Sequence, residues 1–262
     1  SGGKGGGGKR KKIRRPTDVD RRASQILANE ALKHAESAAA LATGSIEPVQ
    51  HRISAMLAKN NATSFEQALS LCRTESSIRD AKYLKRVAQT AQEEDGGEGS
   101  SSSSSTIEQA LEGLRCSHAV EMASLSLLEG RCLHLCGDLP GSARTLHSAH
   151  STLRNEMNLC DPQSTLAQLR REMARLAKDL SEEQRMVRDM QTRRECGNTE
   201  FRNVKYAKAY DAYTGALQVD ACHDAYNAIL YCNRAAALMM LGLFSEAMND
   251  CDEALKRRTY YP

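Results

Sequence analysis

A self-similarity of 38 residues near the C-terminal end constrains this chain more than any other feature. Residues 194–221 read RECGNTEFRNVKYAKAYDAYTGALQVDA, and residues 229–255 read ILYCNRAAALMMLGLFSEAMNDCDEAL. Superposing Ala209 on Ala247 pairs Tyr206 with Phe244, Tyr213 with Cys251, Ala216 with Ala254 and Leu217 with Leu255. The alternation has a packing reason. Antiparallel helices approach closely only where a small side chain on one meets a large one on the other. Ala209 and Ala216 stand seven apart on one helical stripe, and Tyr206 and Tyr213 fill the space beside them. One such hairpin cannot bury its apolar face alone, so it must stack on neighbours. The prediction is an all-α stack of antiparallel helical hairpins.

Earlier parts of the chain repeat the pattern with less fidelity. Gly130, Leu133, Gly137, Ser142, Leu146 and Ala149 take the same offsets over residues 126–149. Phe65, Ala68 and Cys72 hint at a fourth copy. The length of the 38-residue unit is expected to extend the second helix through Val219–Tyr226. Composition agrees with helices. Aromatic residues are 4% of the 262, there are five Pro, and Trp is absent, which argues against β-sandwiches and barrels. No apolar run is long enough to cross a membrane, and the first residues lack the apolar core of a secretion signal.

Five regions are expected. Residues 1–20 are a disordered basic tail, and 21–92 a degenerate helical region with Ile26, Leu27, Ala31, Ala35, Ala38 and Leu41 on one stripe. Helices are expected near Ile53–Leu57 and, after Ser64-Phe65-Glu66-Gln67, from a capping box. Residues 93–105 are an acidic, Ser-rich linker. Residues 106–193 hold degenerate repeat-like helices and a long connecting helix, which Ser181-Glu182-Glu183-Gln184 is expected to kink or restart. Residues 194–262 hold the two better repeats.

Charge is unevenly placed. Residues 1–22 carry nine Lys/Arg against Asp18 and Asp20, a net +7, and the rest carries 27 basic and 31 acidic residues, a net −4. An acidic body argues against nucleic-acid binding by the folded part. The Lys9–Arg15 cluster is a nuclear-import signal, a polyanion contact or a solvated tail. Nine cysteines without C-x-x-C spacing read as reduced thiols in a cytoplasmic protein. Cys132, Cys136, His147 and His150 could converge as a metal quartet, or be buried thiols and surface histidines.

The first helices of the two repeats carry Arg194, Asn198 and Phe201, then Asn233, Ala236 and Met240, at helical spacing. These stripes are expected to face away from the Ala/Tyr packing stripe, into a groove. One cation and two carboxamides suit an extended peptide ending in a carboxylate.

The arrangement resembles the tetratricopeptide repeat (TPR). The strings C-G-N-T-E-F and L-Y-C-N-R-A-A-A are most similar to tandem-TPR co-chaperones that carry a J domain. That resemblance implies a TPR-type superhelix and a carboxylate clamp for the Glu-Glu-Val-Asp tails of 70- and 90-kDa heat-shock proteins. It assigns Asn198 and Asn233 to the clamp asparagines, Arg194 to a clamp Lys position, and Phe201, Ala236 and Met239 to the apolar pocket. Glu200 departs from the pattern, standing where a small or apolar residue is usual, and Ala221 replaces a usual Pro. The clamp's last Lys and Arg come from a following helix, and no His-Pro-Asp J-domain signature is present. A fragment, or a chain that has lost both, is therefore expected. Lacking two charge-assisted bonds of roughly 1.5–3 kcal/mol each, it would hold such tails about 3–6 kcal/mol more weakly.

No Gly-rich phosphate loop, nucleophile motif or paired-acid arrangement stands out. The reading is a protein-binding module without cofactor or metal, not an enzyme. Its partners are 70/90-kDa chaperones, with a general scaffold and a polyanion contact through the tail as alternatives. Its place is the cytoplasm, with nuclear entry through the tail as an added reading.

Overall fold

A computed structural model describes residues 26–36, 45–59, 62–95, 101–160, 166–221 and 223–258. They form α1 (26–36), α2 (Glu47–Ala58), α3 (Ala62–Asp95), α4 (Ser101–Leu135), α5 (Leu139–Leu159), α6 (Ala167–Arg202), α7 (Tyr206–Leu217), α8 (Asp224–Met240) and α9 (Phe244–Arg258). From α2 onward each helix packs on the next. The helices α2, α4, α6 and α8 also touch one another in series, and no comparable contact joins α3, α5, α7 and α9 among the described residues. The result is an inner layer of first helices and an outer layer of second helices. The 1–20 tail lies outside the described residues.

Three hairpins share one register. A small residue on the first helix (Gly130, Gly197, Ala235) is followed seven residues later by one with positive φ: Gly137 at 87°, Val204 at 63° and Gly242 at 76°. Twelve residues after the small residue comes a buried small residue: Ser142, Ala209 or Ala247. At each turn the next N–H returns to a carbonyl of the first helix, Asp138 to Leu133, Lys205 to Glu200 and Leu243 to Leu238. This is the helix-ending pattern that a left-handed residue permits. Sixteen residues after the small position, Leu146 and Tyr213 lie on bare helix backbone. A Cβ at Gly130 would be 2.6 Å from Leu146 Cδ2, and one at Gly197 2.5 Å from Tyr213 Cε1. Ala209, Ala216, Ala247 and Ala254 are all buried, so the small-and-bulky rhythm is the packing seam. Phe65, Ala68 and Cys72 are buried too, the last two against Ile53, Met56, Leu125 and Cys132. Their hairpin is out of register, because residue 63 already lies inside α3.

Several expectations need correction. Ser64 does not open a helix, since α3 starts at Ala62. In α1 the inward face is Ala28, Leu32 and Ala35; Ile26 and Leu27 are exposed, and Ala38 and Leu41 fall outside the described residues. The stretch expected as a linker is helical at both ends, as α3 runs to Asp95 and α4 begins at Ser101. Ser181 neither caps nor restarts α6. Met173, Leu180, Val187 and Met190 continue one buried stripe past it, and tertiary burial outweighs the local signal. For the same reason α6 crosses the 193/194 boundary unbroken.

The added length of the 38-residue repeat does not lengthen α7, which ends at Leu217. It forms a loop tied back to α4. Buried His223 accepts the Tyr226 N–H at Nδ1 (3.1 Å) and donates from Nε2 to the His134 carbonyl (2.6 Å). Asn227 Nδ2 donates to the Asp220 carbonyl at 2.7 Å.

Candidate peptide-binding site

Gly197 allows the Tyr213 ring to lie on α6, and the ring's hydroxyl then donates to Asn198 Oδ1 at 2.9 Å. Asn233 Nδ2, from α8, approaches the same oxygen at 3.5 Å. The two asparagines thus meet on one side of the inner layer, and the amide N–H groups of Asn198 bond to no protein group among the described residues. The expected geometry is corrected in one respect. This stripe does not face away from the packing stripe but borders it, because Tyr213 belongs to the seam and fixes Asn198.

Arg194, one turn earlier on α6, lays its guanidinium over the Tyr226 ring, 5.5 Å from the centroid. Tyr226 is buried, and its hydroxyl donates to the Met190 carbonyl at 2.8 Å. Burial pushes that hydroxyl's pKa up to about 12 against the opposing charge of Arg194, so it stays a donor. The half-buried Arg194 makes no ion pair among the described residues; the nearby exposed pair is Arg202 with Glu195, at 3.2 Å. A cation without a counter-ion beside carboxamide donors is complementary to a carboxylate.

The apolar residues assigned to the pocket differ in setting. Phe201 is half-buried at the α6–α7 seam, edge-on to Tyr206 at 5.3 Å between centroids. Ala236 is half-buried, while Met239 and Met240 are exposed. Glu200 keeps its Oε2 buried without a hydrogen-bond partner. Sequence reasoning missed Tyr213 and Tyr226 as supports of the site. Both were visible as bulky residues, but nothing local showed that their hydroxyls reach Asn198 and Met190.

The proposed metal quartet does not assemble. Cys132 packs against Cys72 between α3 and α4, while His147 Nδ1 meets Gln184 Nε2 at 3.2 Å between α5 and α6. Among the described residues no His/Cys/Asp/Glu group has metal-holding geometry, and none of the helices is long and apolar enough to cross a membrane.

No family model matches the chain. Among curated proteins it is 42% identical over 69 residues to the DnaJ homolog subfamily C member 7 homolog of Dictyostelium discoideum, covering 26% of this chain and 13% of that one. Against the human DnaJ homolog subfamily C member 7 the figures are 39% over 84 residues, 32% and 16%. Against the human small glutamine-rich tetratricopeptide repeat-containing protein beta they are 43% over 56 residues, 21% and 17%. The chain thus spans less than a fifth of the length of each of these relatives. Its relatives are tetratricopeptide-repeat proteins, and in line with them the chain builds a TPR-type all-α superhelix of antiparallel hairpins.

Proposed function

We propose that this chain is a protein-interaction module of the co-chaperone kind, whose α6–α8 face takes the free C-terminal carboxylate of a Glu-Glu-Val-Asp tail from a 70- or 90-kDa heat-shock protein. The observation that carries the reading is the meeting of Asn198 and Asn233 beside a half-buried Arg194 that lacks an ion pair among the described residues. In this reading Arg194 bonds the terminal carboxylate, the asparagine amides hold the last peptide unit, and Ala236 and Met239 contact the Val side chain. The similarity to DnaJ homologs supports the same partner class. The module is a binder rather than an enzyme, and it works in the cytoplasm alongside those chaperones.

Fluorescence anisotropy with a labelled Glu-Glu-Val-Asp peptide tests this. The free-acid peptide should bind more tightly than its C-terminal amide. Arg194→Ala should weaken binding by roughly tenfold to a hundredfold, the worth of one charge-assisted hydrogen bond. Asn198→Ala and Asn233→Ala should weaken it too. Equal titrations for acid and amide would sink the proposal.

One observation favours a broader scaffold as a second reading. Phe244, Met248 and Leu255 leave an apolar stripe exposed on α9, whereas α8 covers the matching Tyr210 on α7. Stoichiometric capture of a non-chaperone protein that is lost on Phe244→Glu would support it.

A further inference from the structure

The core between α4 and α5 holds two thiols in direct contact. Cys116, in the interior of α4, and Cys160, the first residue past α5, are both buried. Their Sγ atoms lie 2.7 Å apart. That is within about 0.7 Å of a disulfide bond length. The backbone is already positioned. Cys160 leaves the helix in an extended conformation (φ −75°, ψ 131°), with its N–H on the Glu156 carbonyl at 3.1 Å. Glu156 is itself paired with Arg115 at 2.9 Å, beside Cys116. The last turn of α5 is therefore clamped to α4 at the point where the sulfurs meet. The sulfurs need approach by only about 0.7 Å to bond.

We propose that Cys116 and Cys160 are a reversible dithiol–disulfide site, oxidised by a low-molecular-weight disulfide such as oxidised glutathione. Cys160, as thiolate, attacks one sulfur of the glutathione disulfide, breaks its S–S bond and releases one glutathione. Cys116 then attacks the Cys160 sulfur of the mixed disulfide, forms the Cys116–Cys160 bond and expels the second glutathione. The two cysteine protons end on the two released thiols, and two electrons pass from the pair to glutathione. The order follows from position and chemistry. Cys160 stands at a helix end beside the exposed Leu159. Burial and the adjoining Cys160 push the Cys116 thiol up to about 12, which makes it the resolving partner rather than the first nucleophile. Another pair of buried thiols, Cys72 and Cys132, meets between α3 and α4.

The full chain equilibrated with oxidised and reduced glutathione, acid-quenched, alkylated in denaturant and digested without reduction gives the test by mass spectrometry. The expected product is a Cys116–Cys160 linked peptide pair, two hydrogens lighter than its thiol form. Its share should rise with the proportion of oxidised glutathione, dithiothreitol should reverse it, and Cys160→Ser should lack it. The wild-type map needs no variant to fold. Full alkylation of both cysteines at every ratio would overturn the proposal. So would glutathione adducts confined to the exposed Cys196, Cys232 and Cys251, or a Cys116 linkage to any other cysteine.

Discussion

Val204 is where the shared register is under strain. It holds φ 63° at a turn where the other two hairpins use Gly137 and Gly242. A β-branched side chain there costs on the order of 1–3 kcal/mol, of which glycine returns part as added freedom of the unfolded chain. Val204→Gly should therefore stabilise the protein by about 1 kcal/mol, measured as a shift in the urea midpoint. His223 sets a second residue-scale expectation. Burial, and then the neighbouring charge of His134, push its pKa down to about 4. Asp220 and the His134 carbonyl oppose the shift, and the His134 ring stands 4.7 Å away, facing Glu183 and Asp220. The unfolded chain then binds a proton between about pH 6.5 and 4 that the folded chain refuses. Stability is complete above that window and falls as pH drops through it, by up to about 3 kcal/mol. Burial raises Glu183, but bonds and charge from His134 and Arg131 outweigh it and keep its pKa low, so its contribution also fades in acid. Denaturation midpoints at pH 7.5 and pH 4.5 should differ in that direction, and His223→Gln should flatten the difference.

At the scale of elements, α8 and α9 are joined by more than small-residue packing. Arg234 grips Asp250 with two bonds, at 2.6 and 2.7 Å, and adds Thr214 at 3.1 Å. Its guanidinium lies over Tyr231, 5.2 Å from the ring centroid, and Arg257 approaches the same ring at 4.5 Å. A cation stacked on an aromatic ring and bonded to a nearly buried carboxylate ties three helices at one point. Arg234→Ala leaves Asp250 buried without its partner and should cost about 3–5 kcal/mol. The double change Arg234→Met, Asp250→Leu should recover most of that loss in thermal unfolding. The sequence contained every member of this cluster, yet no spacing rule joined Arg234 to Asp250. Helix existence was legible from periodicity. Helix length was not, because the continuity of α6 through Ser181 depends on what Leu180 and Val187 meet in space.

For the whole molecule, the hairpin stack was legible because small-and-bulky alternation is a local pattern with one packing consequence. Ala209 and Ala247 marked the seam from sequence alone. The ties that hold the stack together were not legible, since each joins distant positions. His223 reaches His134 across 89 residues and Cys116 meets Cys160 across 44. Of the candidate site, the spacing of Arg194, Asn198 and Asn233 could be read, but not the aromatic plate under Arg194. The two ends of α6 have different employment. Around Met173 it is packed into the shared core with α4 and α5, and at Arg194, about 32 Å farther along the same rod, it carries the guanidinium that lies on Tyr226. A rigid beam rooted so deeply cannot yield at one end alone. Under the proposed function, a peptide held at Arg194 would press on a rod whose other end is packed in the core, making the middle of the superhelix a place to listen for events at its rim.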